Sequence, residues 1–411
     1  MKINAPSPLF DGIDWLPEQP CAITYQTLEG MQLNGVHDEY ALAKRFLMSY
    51  QGSEDTFNSY RREVERLCQW SWLIKQKLLK HIDRHDIAEY FDFVQNPPEQ
   101  WVARKHSPRF AFNTHGARVP SPNWRPFLLR QHIKNEHGSI KPSMTQATIR
   151  AIMAGTSTFM TYLLQENYIT HNPVSLIRQK SRYLQKIQQD RVTRKLNDRQ
   201  WSMLIDEIES RCAQEPLYER HLFIFSAFYL LGCRISELAD TQDRQPVMSD
   251  FYQDSNHLWW FRTVGKGNKA REIAVPDAML KALKRYRLHI GTSGLPNPRD
   301  HCPIIPKQKG DGGIGTRQLR KIVQVGFDCA IKRLSAQEHH DEAMAMRHAT
   351  VHWLRHTAIS KDVQHRPREH VRDDAGHQSV QVTDRYIEID LQARHASART
   401  KTLNTDNKET G

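Results

Sequence analysis

Apolar residues return every three or four positions along most of this chain and alternate over only one short stretch. Tyr60, Val64, Leu67, Trp70 and Leu73 keep the helical spacing, so a helix from Phe57 to about Leu79 turns one face to a core. Ser53-Glu54-Asp55-Thr56 stands ahead of it and offers a side-chain cap for its first N–H groups. The same spacing predicts an amphipathic segment over 40–48 and a helix over 87–94 that begins at Asp83-Arg84-His85-Asp86 and ends at Asn96-Pro97-Pro98. A longer helix follows Ser143-Met144-Thr145, with its stripe at Ile149, Ile152, Phe159, Tyr162 and Leu163. Leu196-Asn197-Asp198 caps a helix carrying Trp201, Leu204 and Ile205, and 221–231 is apolar enough to be buried all round. Residues 277–290 form a basic helix, and helical order covers 319–334 and 343–360. Only 258–264 and 271–276 have the character of strands, joined as a β-hairpin by Gly265-Lys266-Gly267-Asn268-Lys269-Ala270. The expected fold class is mainly α with a small antiparallel β-sheet in the second domain.

Domain boundaries fall where the periodicity fails. With 411 residues, more than one core is expected. Residues 1–37 hold Pro6, Pro8, Pro17 and Pro20 without a repeat and are taken as an irregular N-terminal arm. A helical domain spans 38–178, broken by an insert at about 99–142 that is rich in Trp, Arg, Pro and His. Such an insert is either a functional excursion or a packed loop. Residues 179–195 crowd Arg182, Lys186, Arg191, Arg194 and Lys195 into a basic linker. The second domain covers 196–395, and 396–411 is a polar tail without the means to order itself.

Charge narrows the class of partner. The formal net charge is +12, which favours a polyanion, nucleic acid above all. Arg61, Arg62, Arg66 and Lys75 lie largely off their helix's apolar stripe and are either a solvated face or phosphate contacts. Mean hydropathy is −0.68 and no apolar run approaches the length of a membrane span, so none is expected. Met1-Lys2-Ile3-Asn4-Ala5-Pro6 has no apolar signal core, and a cytoplasmic protein is expected. The scattered cysteines suit reduced thiols, while His339-His340 is taken as a solvated polar loop, so no metal site is expected.

The candidate chemistry sits in separate short motifs. Gly232-Cys233-Arg234-Ile235-Ser236-Glu237-Leu238 follows the most apolar helix. A guanidinium there is costly to bury alone, so Arg234 either pairs with Glu237 or faces an anion. Lys266 alone would be an ordinary turn lysine. His352-Trp353-Leu354-Arg355-His356-Thr357, Gly376-His377 and Arg385-Tyr386 complete the set. An arginine fork suits a phosphodiester, and a tyrosine oxygen can form a covalent ester with phosphorus.

Taken in this order, the motifs resemble the tyrosine recombinase (phage integrase) family over residues 194–392, and more weakly over 38–94 and 143–178. The resemblance implies a helical core-binding domain followed by a mixed α+β catalytic domain. It implies that Arg234 and Arg355 clamp the non-bridging phosphate oxygens, with Glu237 supporting Arg234. Lys266 would protonate the departing 5′ oxygen, His352 and His377 would hydrogen-bond the phosphate or assist proton transfer, and Tyr386 would be the nucleophile. Arg61, Arg62, Arg182, Lys186, Arg191 and Lys269 are the candidate DNA contacts. The implied activity is site-specific recombination of double-stranded DNA through a 3′-phosphotyrosyl intermediate, by a homotetramer on DNA in the nucleoid, without metal, cofactor or ATP. Two alternatives use similar residues: a type IB topoisomerase-like nicking-closing enzyme and a catalytically inactive DNA-binding regulator. The chain departs from the family in the long spacing between Arg234 and His352, in the 99–142 insert, and in Arg372-Asp373-Asp374-Ala375. That last run is polar where an apolar approach to Gly-His is expected.

Overall fold

The computed structural model describes residues 5–17, 22–128, 145–178, 194–265, 269–292 and 294–377, with 379, 383 and 399. The chain divides into two units, Met1–Gln188 and Gln189–Gly411. Among the described residues no helix is long and apolar enough to cross a membrane.

The first unit is built on α1 (Ala22–Glu29), α2 (Val36–Met48), α3 (Glu54–Gln69), α4 (Arg84–Gln95), α5 (Gln146–Gln165) and α6 (Pro173–Arg178). Ser53 caps α3 by accepting from the Thr56 N–H, and Asp83 and Asp86 cap the start of α4 reciprocally. The helix expected to reach residue 79 stops at Gln69 and continues as a π turn over Trp70–Lys75. Trp70 and Trp72 are both buried. The Trp72 indole N–H then donates to Glu39 Oε2 at 2.7 Å.

One expectation for this unit needs correction. The arm at 1–37 is not irregular throughout: it carries α1 and buries Leu9, Phe10, Leu16 and Leu28 in the core. The Leu9 and Phe10 N–H groups both donate to the buried Glu65 Oε1, at 2.7 and 3.2 Å, which removes the usual objection to burying an extended backbone. The part of the insert described here is ordered as well. It forms β1 (Val102–Ala103), β2 (Phe110–Phe112), β3 (Arg118–Pro120) and β4 (Phe127–Leu128), with β1 parallel to β4 and β2 antiparallel to β3. Its interleaved basic and aromatic residues largely serve each other. Arg109 pairs with Glu65 and lies 4.7 Å from the Trp124 ring centre, and Arg118 pairs with Asp11 between Trp15 and Phe112. Residues 129–142 lie outside the described residues, as do 179–193 of the expected linker and, apart from residue 399, the tail at 396–411.

The second unit contains α7 (Asp198–Cys212), α8 (Tyr218–Leu231), α9 (Ile235–Leu238), β5 (Phe251–Gln253), β6 (Trp259–Gly265), β7 (Lys269–Ala274) and α10 (Asp277–His289). It continues with α11 (Thr316–Ala336), α12 (His340–Met346), α13 (Val351–His365) and α14 (Arg368–Ala375). Phe223, Ile224, Phe225 and Phe228 bury α8 on every side, and α7, α10, α11 and α13 pack around it. Gly326 lets α11 approach: a Cβ there would stand 2.4 Å from the Phe225 ring. The expected hairpin is β6–β7, and β5 adds an antiparallel third strand that the sequence reading lacked. The stretch 337–346 includes α12 and buries Ala343 and Met346.

Candidate active site

The site begins where the most buried helix ends. Gly232, at φ 57, closes α8 in the left-handed conformation. The chain re-extends at Arg234, which begins α9. Glu237 Oε2 accepts the Arg234 backbone N–H at 2.6 Å, and Oε1 accepts Nη1 of the same residue at 3.1 Å. One carboxylate therefore fixes both ends of Arg234. Glu237 is fully buried, and Oε2 also receives Arg271 Nη2 from β7 at 2.6 Å. Two guanidiniums on one carboxylate leave a net positive charge, and the Arg234 side chain keeps 29% of its surface open. Both possibilities raised for Arg234 are compatible here: it pairs with Glu237 and still presents a face to an anion.

Arg355 reaches the same place from α13. It is 3% exposed. Its Nη1 donates to the Gly232 carbonyl at 2.5 Å and its Nη2 to the Ala375 carbonyl at 2.6 Å. The end of α14 organises the rest. Arg271 Nη1 donates to the carbonyl of Asp374, Arg355 to that of Ala375, and Arg234 Nη2 to that of Gly376 at 3.3 Å. The last carbonyls of a helix lack N–H partners and carry partial negative charge, so three arginines from three elements complement them. Gly376 sits at φ 63, and a Cβ on it would come within 2.9 Å of Arg271 Cδ. Its lack of a side chain is required on both counts.

Histidines surround this cluster. His352 precedes Arg355 by one turn, and its ring meets that of His356 edge-on at 4.2 Å between centres. His377 Nδ1 lies 2.9 Å from Thr383 Oγ1. Burial, and then the neighbouring Arg355, Arg234 and Arg271, push His377 down to about 4. Burial followed by His352, Arg355 and Arg194 does the same to His356, also to about 4. His352 is lowered by burial and then by Arg355. His377 and His356 are therefore neutral imidazoles at pH 7.

This has a stability consequence with a definite sign. An unfolded histidine takes its proton near pH 6.5, and the folded one resists until about 4 for His356. The unfolded state thus binds more protons, and stability falls as pH drops through that window. The melting temperature is expected to decline between pH 6.5 and 4, with a shallower slope in His356→Asn. Equal slopes in the two proteins would contradict the depressed value.

A cavity of about 300 Å³ opens beside His352 and Arg355, with Cys233 and Phe327 on its walls and Arg320 and Thr350 at its side. Among the described residues no three His, Cys, Asp or Glu side chains are grouped to hold a metal.

Of the residues singled out in the sequence, Arg234, Glu237, Arg355 and His377 are brought together, with His352 on the same helix as Arg355. Lys266, Tyr386, Arg182, Lys186 and Arg191 lie outside the described residues. Lys269 is exposed on β7 opposite Gly265. Arg62 is half-exposed beside Glu63 at 2.6 Å. Arg61, considered as a DNA contact, is instead drawn inward: it donates to the Asp11 carbonyl at 2.5 Å and Asn58 Oδ1 at 2.6 Å, and burial pushes it down to about 10. Sequence reasoning missed Arg271 and His356. Arg271 opens the second strand of the expected hairpin, but nothing local shows that Glu237, on another element, takes it as a second partner.

Residues 194–392 match the model of the phage integrase family. No curated protein sequence matches the chain. Among solved structures it is similar to the XerH site-specific recombinase bound to palindromic difH substrate in a post-cleavage complex, at 15% identity and a TM-score of 0.55, over 87% of this chain and 88% of that one. It is also similar to the Tn1549 transposon integrase in complex with circular intermediate DNA, at 14% identity and a TM-score of 0.54, over 87% and 98% of the two chains. At such identities the likeness establishes a shared fold.

Proposed function

This chain belongs through residues 194–392 to the phage integrase family of tyrosine recombinases, and on that footing we propose how it breaks and rejoins double-stranded DNA. Tyr386 attacks a backbone phosphorus, forming the Tyr O–P bond as the P–O5′ bond breaks. Arg234 and Arg355 hold the non-bridging oxygens, Lys266 gives its proton to the departing 5′ oxygen, and neutral His352 or His377 accepts the tyrosine proton. The 3′-phosphotyrosyl link conserves the bond energy, so attack by a 5′-hydroxyl reseals the strand without ATP. Phosphoryl transfer depends chiefly on charge neutralisation and in-line placement. Guanidinium and ammonium groups supply the first, and no metal is required for it.

The observation that carries this reading is the meeting of Arg234 and Arg355 on the adjacent carbonyls of Gly376 and Ala375, immediately before His377. In support, of the two similar structures the XerH recombinase is bound to its difH substrate and the Tn1549 integrase is in complex with circular intermediate DNA. Site-specific exchange between two duplexes requires several active sites, and we place a homotetramer on the paired DNA. The test is covalent capture: a nicked duplex carrying the target site should trap the protein in a complex that survives denaturation. Recovery of only denaturant-labile complexes would refute the reading.

The grip on DNA is expected to be largely electrostatic. With several phosphates neutralised, affinity should fall about 10³-fold or more between 50 and 200 mM salt. Fluorescence anisotropy on labelled duplex measures this directly, and a salt-independent Kd would contradict a backbone-dominated interface.

A further inference from the structure

Three arginines distant in sequence end on three consecutive carbonyls, and those carbonyls must themselves be held. The helix that supplies them, α14, is only eight residues long, and so short a helix does not hold its last turn unaided. Asp374 fastens it. The Asp374 carboxylate accepts from Arg366 Nη2 through Oδ2, and from the Ala274 N–H at the end of β7 through Oδ1 at 3.3 Å. Arg366 in turn donates to Asp362 of α13 at 3.1 Å. One mostly buried side chain, 14% exposed, thereby ties α14 to both β7 and α13. Those are the elements that carry Arg271 and Arg355. This is also the polar run that departs from the apolar approach expected before Gly376-His377.

We propose that Asp374 is a positioning residue for the phosphate clamp: its carboxylate sets the end of α14 so that the carbonyls of 374, 375 and 376 hold Arg271, Arg355 and Arg234 in register with the attacked phosphate. The proposal rests on the recombinase reading above. Asp374 touches no reacting atom. Its effect passes through the backbone, since a shift of the helix end moves the supports of three guanidiniums together. Losing the carboxylate leaves Arg366 without this acceptor and strands the Ala274 N–H.

The test uses the full chain with Asp374→Leu, Asp374→Asn and Arg271→Lys, measured by single-turnover covalent capture at saturating DNA. Asp374→Leu should slow capture by about 100-fold, the cost of an ångström-scale misplacement, while the Kd for DNA stays within about threefold. Asp374→Asn keeps an oxygen for the Ala274 N–H and should lose less. Because Asp374 and Arg271 act through one support, the double variant should be no slower than the slower single one; two independent contributions would multiply. A wild-type rate in Asp374→Leu, or multiplicative losses in the double variant, would overturn the proposal. Should Asp374→Leu fail to fold, Asp374→Asn carries the same cycle. Wild-type protein that captures no DNA would instead overturn the recombinase reading itself.

Discussion

Tyr386→Phe should reduce covalent capture of a nicked duplex to background while leaving the Kd for that duplex unchanged within about twofold. The substitution removes one oxygen and little else. An unperturbed phenol has a pKa near ~10, so at neutral pH the proposed nucleophile would depend on cations to favour phenolate and on an imidazole to take its proton. Arg234 and Arg355 meet at the end of α14, and His377 is neutral beside them. Phenylalanine has no oxygen with which to form the ester. Gel electrophoresis under denaturing conditions, with anisotropy for binding, separates loss of chemistry from loss of grip. Undiminished capture by Tyr386→Phe would mean that another side chain is the nucleophile.

Arg355→Ala should be the most damaging single change among the described residues, on two readouts at once. The structure adds a stability cost, because Arg355 is buried and its donors pair with the carbonyls of Gly232 and Ala375. Leaving two buried carbonyls unpaired costs about 1–3 kcal/mol each, and removing a preorganised donor from a developing charge typically costs 10²–10³-fold in rate. We therefore expect capture to slow by roughly 10³-fold or more and the melting temperature to drop by several degrees. Arg355→Lys should rescue little of either, since a single ammonium cannot span both carbonyls as a planar fork does. Single-turnover cleavage and thermal unfolding report the two effects separately. An Arg355→Ala protein with wild-type stability would show that the carbonyl contacts contribute nothing.

What the sequence disclosed was local. The apolar density of 221–231, the caps at Ser53, Asp83 and Asn197, and the glycine-bracketed hairpin are all set by neighbours within a few positions, and each stands where expected. Arg234 with Glu237 was legible for the same reason, a buried cation needing an acid one turn away. What escaped was set at long range. The bond from Arg271 to Glu237 spans 34 positions, and the one from Arg271 to Asp374 spans 103. No periodicity records either. The π turn after α3 escaped because the three-to-four spacing of apolar residues does not record a change in the hydrogen-bond pattern. The first residues escaped because proline-rich composition masked a backbone that borrows its hydrogen-bond acceptor from Glu65.

That borrowed acceptor changes what the beginning of the chain means for handling the protein. Leu9 and Phe10 are sealed beneath Tyr40 and stitched to α3, so shortening the chain past Gly12 would not trim a loose end. It would open a hole beside a carboxylate still paired with Arg109 and strip two of its hydrogen-bond donors. Leu9 and Phe10 are interior wall.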